Sequence, residues 1–333
     1  MPPFLPADNH LLSIESIRHL VGRELLAVDT IIRARLQSDV ALVRQVAEYI
    51  ISAGGKRLRP VLVLLSGGAC GHTGPQLNEL AAVVEFIHTA TLLHDDVVDG
   101  SDLRRGRATA NAHFGNPASV LVGDFLYSRA FQMMVSVGNM RVMEVLSEAT
   151  NVIAEGEVLQ LMNVHDPDVT EATYLDVIRF KTAKLFEAAG RLGAVMAGAS
   201  RETEEALASY GTHVGTAFQL IDDILDYSGD LAETGKNLGD DLAEGKATLP
   251  LIHVLRNGTT AQAAVVRHAI ESGGITDFEP VMQAIRETGA LTYARAAAEA
   301  EAKRAQDAIG CLEDSRYRES LIHFASFAIS RTQ

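Results

Sequence analysis

From Leu42 through Val43 and Val46 to Ile50, apolar residues recur at three- and four-residue spacing, until Gly54-Gly55 stop the pattern. A basic turn follows, Lys56-Arg57-Leu58-Arg59, and then Pro60, which suits the first turn of a helix because its missing N–H costs nothing there. The same periodicity returns from about Gln76 to Asp99, Ser119 to Val137, Arg141 to Asn163, Thr170 to Ala199, Glu204 to Tyr227 and Leu249 to Leu255. No run alternates with the period of two that a half-buried strand needs. Aromatic residues are only 5% and Trp is absent, which leaves little of the material sheets prefer. No Ser-, Pro- or Gly-rich linker divides the chain. The pattern predicts an all-α fold in a single large domain over residues 1–333, with residues 1–10 as an N-terminal tail. The stretch Ser228 to Gly245 reads as a long loop, and long loops in compact domains are often functional.

Charge narrows the partners. Lys and Arg number 29 against 43 Asp and Glu, a net −14, so a phosphate backbone is repelled at long range and nucleic acid is not expected as a partner. A small anionic ligand is compatible if cations gather locally. The longest near-apolar run starts at Val61 and breaks at Ser66, Gly67 and Gly68, too short for a transmembrane helix. MPPFLPADNH has no basic region leading into an apolar stretch, so no secretory signal is expected. Cys70 and Cys311 have no metal-binding or disulfide spacing, which fits a soluble protein of the reducing cytoplasm.

One internal echo carries chemistry. LLHDDVVD (Leu92–Asp99) and QLIDDILD (Gln219–Asp226) each place a DDxxD near the end of an apolar helical run. Residues four apart share a helix face, so Asp95 and Asp99 point together, with Asp96 beside them and Leu92 and His88 extending the row. In the second copy Asp222 and Asp226 align, Gln219 lies one turn earlier and Asp223 sits alongside. Carboxylates flanked by Leu, Val and Ile repel one another unless a cation joins them, and hard oxygen ligands suit Mg²⁺. Lys56, Arg57, Arg59, Arg104, Arg105, Lys181, Lys236 and Lys246 flank these motifs in an otherwise acidic chain. Acid rows, a divalent metal and basic loops together describe a site for diphosphates.

GGKRLRP (Gly54–Pro60), HDDVVDGSDLRRG (His94–Gly106), RFKTAKLF (Arg179–Phe186), FQLIDDILD (Phe218–Asp226) and GKNLGDDLAEGKATLP (Gly235–Pro250) resemble, in order, the signature blocks of the trans-polyprenyl diphosphate synthases. EFIHTATLLHDDVVD (Glu85–Asp99) is further similar to the long-chain bacterial branch, above all to its members that make octaprenyl diphosphate for quinones, with nonaprenyl and decaprenyl products as alternatives. The resemblance implies a helical bundle around a central cavity and a prenyl transfer between isopentenyl diphosphate and an allylic diphosphate, with farnesyl diphosphate as primer. It implies three Mg²⁺ ions, replaceable by Mn²⁺, held by Asp95, Asp96, Asp99, Asp222, Asp223 and Asp226. Arg104, Lys181 and Lys236 would hold the allylic diphosphate. Lys56, Arg59, His88 and Arg105 would hold that of isopentenyl diphosphate, without metal. Thr182 and Gln219 would line the reacting centre, and Asp241 would stand behind the second cluster. A homodimer, and a passing membrane contact for product release, are also implied.

The chain departs from the family pattern in one place. Where many members carry Gly-Gln and then Asp three residues after the Gln, this chain has Gly156-Glu157-Val158-Leu159-Gln160, so an acidic group has moved and no role is assigned to Glu157 or Gln160. Product length turns on an apolar tunnel. Ala90, five residues before Asp95, and its neighbour Thr91 lack the bulk that would block a growing tail, and Met133 and Met134 are candidates for the deeper wall. A shorter-chain synthase, a terpene cyclase and a non-catalytic subunit are the rival readings. The small residue at Ala90, the intact basic set Lys56, Arg59 and Arg105, and the intact aspartate triplets argue against them in turn.

Overall fold

The computed structural model of the protein describes residues 14–52, 54–104, 106–228, 239–273 and 278–330. The chain runs through α1 (Ile14–Leu20), α2 (Gly22–Arg35), α3 (Ala41–Ser52), α4 (Leu58–Ala69) and α5 (Pro75–Val98). A two-rung hairpin, β1 (Leu103–Arg104) and β2 (Arg107–Ala108), precedes α6 (Ala110–Phe114), α7 (Asn116–Val137), α8 (Met140–Asn163) and α9 (Glu171–Ile178). A π-helical turn (Arg179–Ala183) leads into α10 (Lys184–Ala197) and α11 (Arg201–Ser228). The rest is α12 (Asp240–Ala243), α13 (Leu249–Asn257), α14 (Thr260–Ser272), α15 (Phe278–Thr288), α16 (Ala290–Ala308) and α17 (Arg316–Ser330). The all-α expectation is borne out.

Local chemistry accounts for many of the boundaries. Pro75 opens α5, and Gly138, at φ 70°, closes α7 in the left-handed conformation that costs glycine least. The Thr259 side chain and Gln262 form a reciprocal capping box at the start of α14.

Packing explains why the longest helices carry the site. α4 is buried on every side from Val61 to Gly68, so it can only be a central helix, and α5, α10 and α17 pack on it. Leu62, Leu65, Leu80, Phe86, Leu126 and Phe186 belong to this first core. A second core gathers α13 to α16 around Leu251, Ile270, Ile285 and Ala294. α11, at 28 residues about 42 Å long, joins the two. Its N-terminal half contributes Leu207, Tyr210 and Val214 to the first core, and its C-terminal half Leu220, Ile221 and Ile224 to the second. The second aspartate row therefore lies in the half of α11 that packs into the second core. Among the described residues no helix is long and apolar enough to cross a membrane.

Two details differ from the pattern read in the sequence. The expected helix from Thr170 to Ala199 runs unbroken from Glu171 to Ala197 but takes a π turn over Arg179–Ala183, the segment that carries Lys181 and Thr182. Of the expected loop Ser228 to Gly245, residues 229–238 lie outside the described residues, and the remainder contains the short α12.

Candidate active site

A cavity of about 920 Å³ opens between α5, α8, α9, the π turn and α11. Asp95 and Asp99 line it from α5, and Asp222 and Asp226 from α11. Its remaining wall divides by chemistry. Lys56, Arg59, His88, Arg104, Lys181 and Lys246 bring positive or ionisable groups, while Leu92, Val169, Val177, Ile178 and Phe218 offer an apolar surface. A volume of this size suits a ligand with an ionic head and an apolar body.

Two glycines make the π turn possible here. A Cβ on Gly156 of α8 would come within 2.7 Å of the Lys181 backbone nitrogen, and one on Gly215 of α11 within 2.6 Å of Ala183 Cα. Glycine on both sides lets the turn wedge between α8 and α11, and π turns of this kind are frequent at functional sites. Lys181 Nζ then reaches Glu157 Oε2 at 2.6 Å and Asp95 Oδ1 at 3.8 Å. Thr182 Oγ1 donates to Gln219 Oε1 at 2.8 Å, and Gln219 Nε2 donates to Asp223 Oδ1 at 2.8 Å. Asp223 Oδ2 accepts from the buried Tyr174 hydroxyl. This chain of bonds fixes the orientation of both Thr182 and Gln219.

The middle aspartates make bonds to protein groups that adjacency did not imply. Asp96 and Asp223 were expected among the metal ligands. Asp96 is fully buried and absent from the wall of the large cavity; its Oδ1 accepts from Arg104 Nε at 2.9 Å and Nη2 at 2.6 Å. Asp223, 3% exposed, spends both oxygens on Gln219 and Tyr174. A residue one step along a helix is turned by about 100° from its neighbour; on α5 this takes Asp96 off the cavity wall, whereas on α11 Asp223 still borders the cavity with both oxygens engaged by protein groups. Arg104 still lines the cavity, held from behind by Asp96.

The expected chain-length residues divide between the core and the cavity wall. Ala90, Met133 and Met134 are fully or almost fully buried in the first core and are absent from the cavity wall. Ala90 lies about 140° around the helix from Asp95, which turns it into the neighbouring helices. Thr91, four residues before Asp95 and on its face, is the one that lines the cavity. Arg105 and Lys236 lie outside the described residues.

Three residues without a role in the sequence reading belong to the wall. Glu157 pairs with Lys181, and Gln160 lines the cavity one turn further along α8. The signal for Glu157 was an acid beside a glycine in an apolar helix. Lys246, named there only as a cation, places Nζ 3.1 Å from Asp99 Oδ2 and against Glu244.

Electrostatically the site is short of positive charge. Burial pushes the Asp95 carboxyl up, against the pull of Lys181. Burial and the Asp95 charge raise Glu157 to about 7. Burial raises Asp223 to about 8, with Asp241 adding to it. Burial alone would lower the Lys246 ammonium, but Asp241, Asp99 and Glu244 outweigh it and push it up. Glu157 Oε1 is buried with no hydrogen-bond partner. Crowded oxygens of this kind fit a hard cation. Yet among the described residues no three His, Cys, Asp or Glu side chains come together as a metal cage. A cation held here would need further oxygens from its ligand or from water, which is how Mg²⁺ is usually bound.

Two facing carboxylate rows, basic loops and an apolar wall in an all-α fold define a class of protein that handles the diphosphate of an apolar molecule. The polyprenyl synthetase family model matches residues 40–288, and this chain belongs to that family. It is 54% identical over 321 residues to the octaprenyl diphosphate synthase of Escherichia coli K12, covering 96% of this chain and 99% of that one. It is 46% identical to the geranyl-diphosphate-specific all-trans-nonaprenyl-diphosphate synthase of Rhodobacter capsulatus, covering 94% and 96%. Its fold matches a polyprenyl synthase from Caulobacter crescentus CB15, solved in complex with calcium and isoprenyl diphosphate, with a TM-score of 0.93, 45% identity and coverage of 96% and 98%.

Proposed function

We propose that this chain is a long-chain trans-prenyltransferase that condenses isopentenyl diphosphate with an allylic diphosphate, farnesyl diphosphate as primer, to make octaprenyl diphosphate for a quinone side chain. One observation carries the reading: the two aspartate rows of α5 and α11 line the same cavity, and a separate basic turn, Lys56 to Arg59, lines it too. A site for one diphosphate would not need both. The Escherichia coli relative supports the octaprenyl product, and the nonaprenyl-diphosphate synthase of Rhodobacter capsulatus favours a nonaprenyl product as the second reading.

Asp95 and Asp99 on one side and Asp222 and Asp226 on the other would hold up to three Mg²⁺ ions, or Mn²⁺ in their place, which neutralise the leaving diphosphate when bound. The calcium in the Caulobacter crescentus relative, another oxygen-seeking dication, supports this assignment. Lys181, Arg104 and, by resemblance, Lys236 grip the allylic diphosphate as its C–O bond ionises. Their charge acts where negative charge develops, which is the usual source of the largest catalytic term. Lys56, Arg59, His88 and Arg105 orient isopentenyl diphosphate. Its double bond attacks the allylic cation, a C–C bond forms, and the proton lost passes to the departed diphosphate. Thr182 and Gln219, locked by Asp223 and Tyr174, hold their oxygens in place as dipoles beside the cation.

The remaining assignments are of the same kind. The enzyme works as one catalytic domain, residues 1–333, in a cytoplasmic homodimer. The exposed apolar side chains Val158, Leu161 and Met162 on α8 support a subunit contact. Release of so apolar a product calls for a passing membrane contact. The test is to supply radiolabelled isopentenyl diphosphate, farnesyl diphosphate and Mg²⁺ and to separate the products by chromatography. Label in a product of eight isoprene units is expected. Absence of any incorporation would overturn the reading, and products ending at farnesyl or geranylgeranyl diphosphate would overturn its long-chain part.

A further inference from the structure

The isopentenyl site rests on the turn that carries Lys56 and Arg59, residues 54–57, which has no regular structure of its own. Something must hold it. Arg57, at its end, adopts φ 52°, a left-handed conformation uncommon outside glycine. The Arg57 Nη1 group donates to Glu85 Oε1, and its Nη2 lies 3.6 Å from Asp29 Oδ1. Glu85 is 7% exposed and projects from α5 one turn before His88. Arg59, two residues further on, lines the large cavity with its guanidinium 4.4 Å from the Phe186 ring centroid and its Nε buried without a hydrogen-bond partner. Burial pulls Arg59 down to about 10, and the Glu85 and Asp222 carboxylates oppose that fall. Glu85 thus serves two arginines, one paired with it and one with an open donor at the cavity.

We propose that Glu85 is a positioning residue for the isopentenyl diphosphate site: by pairing with Arg57 it locks the turn in the shape that offers Lys56 and Arg59 to a diphosphate. The inference rests on the reading of that turn as the isopentenyl site. Glu85 and Arg57 both border the cavity, but a carboxylate repels a diphosphate, so the Glu85 charge acts on Arg57 and not on the substrate. The rival is that Arg57 itself binds the diphosphate and Glu85 merely neutralises it in the empty enzyme. The two differ in sign. Under the rival, removing the Glu85 charge frees Arg57 and tightens isopentenyl diphosphate; under the proposal it loosens the turn and weakens it.

The experiment compares wild type, Glu85→Gln, Glu85→Asp, Arg57→Gln and the Glu85→Gln/Arg57→Gln double variant in the full chain. Isopentenyl diphosphate is titrated calorimetrically into each without metal, and KM for both substrates is measured with Mg²⁺. Glu85→Gln should weaken isopentenyl diphosphate about tenfold, the usual weight of a charged hydrogen bond, and leave KM for farnesyl diphosphate within about twofold. Glu85→Asp should recover part of the loss. Arg57→Gln should match Glu85→Gln, and the double variant should be no worse than either, since both break one contact. Should Glu85→Gln not fold, Arg57→Gln and Glu85→Asp carry the same expectation. Unchanged or tighter isopentenyl diphosphate, or equal shifts in both KM values, would overturn the proposal. If wild type itself takes up no isopentenyl diphosphate, the reading of the site fails instead.

Discussion

The two aspartate rows share the DDxxD pattern and are held by opposite means. On α5 the middle residue, Asp96, is matched by a permanent cation, Arg104, and the outer residues Asp95 and Asp99 lie near Lys181 and Lys246. On α11 the middle residue, Asp223, is held by two neutral groups, the Tyr174 hydroxyl and the Gln219 amide, and burial raises it to about 8. One row is therefore balanced by protein charge. The other is balanced by dipoles alone at its centre. The same five-residue pattern gives a grip that is electrostatically settled on one side and unsettled on the other, and the unsettled side is the one tied to Thr182 and Gln219.

The comparison is tested most severely at the outer aspartates, where the rows should behave alike. Asp95→Asn or Asp222→Asn should each lower kcat/KM by about 10² to 10³, the scale of removing one preorganised electrostatic group, while circular dichroism melts stay close to wild type. A loss in one row alone would break the symmetry of the account. At the middle positions the rows should part. Asp96→Asn strips a buried charge from Arg104 and should cost about 2 to 3 kcal/mol of stability, since Arg104 keeps some contact with solvent (22% exposure). Asp223→Asn should cost far less in stability, because an amide oxygen can still accept one of its two bonds, and should slow turnover by disturbing Gln219. Denaturant titration of the two variants separates these cases.

The pH dependence sharpens the same contrast. An acid whose folded pKa lies above its unfolded value stabilises the fold below the unfolded pKa and loses that contribution as pH rises through the folded one. Asp223, at about 8, and Glu157, at about 7, are both raised from ordinary carboxylate values near 4. The metal-free enzyme should therefore lose stability steadily between about pH 4 and 8, and the melting temperature of Asp223→Asn should fall less over that range. Parallel curves for the variant and wild type would remove Asp223 from the argument. The effect expected to be smallest on rate is at Thr91. Thr91→Tyr should shorten the products while first-step turnover stays within about threefold, because Thr91 stands one helical turn from Asp95; an unchanged product ladder would take Thr91 off the tail's path.

What could be read in advance followed from spacing. The helices, the two aspartate rows and the basic turn are local patterns, and a period of 3.6 residues is enough to find them. Three features depended on neighbours far along the chain. Ala90 and Thr91 are neighbours in sequence, yet the fold packs Ala90 into the first core and sets Thr91 on the cavity wall. The π turn at Lys181 needs glycines 156 and 215 on two other helices, which no local window connects. Glu157 departs from the family pattern and reveals its use only when the fold brings Lys181 within 2.6 Å. Asp96 and Asp223 were half legible: the 100° step along a helix separates them from their neighbours, but it shows neither the Arg104 behind Asp96 nor the Tyr174 behind Asp223.

The central claim is that the two rows complete a metal site only together with a diphosphate. Calorimetric titration of Mg²⁺ into the enzyme, with and without inorganic diphosphate, tests it directly. Since no protein-only cage forms among the described residues and lysines lie near Asp95 and Asp99, Mg²⁺ should bind weakly to the enzyme alone. With diphosphate present it should bind at least about a hundredfold more tightly, a coupling of roughly 3 kcal/mol, and Asp95→Asn or Asp222→Asn should abolish the gain. Equally tight Mg²⁺ binding without diphosphate would contradict the account.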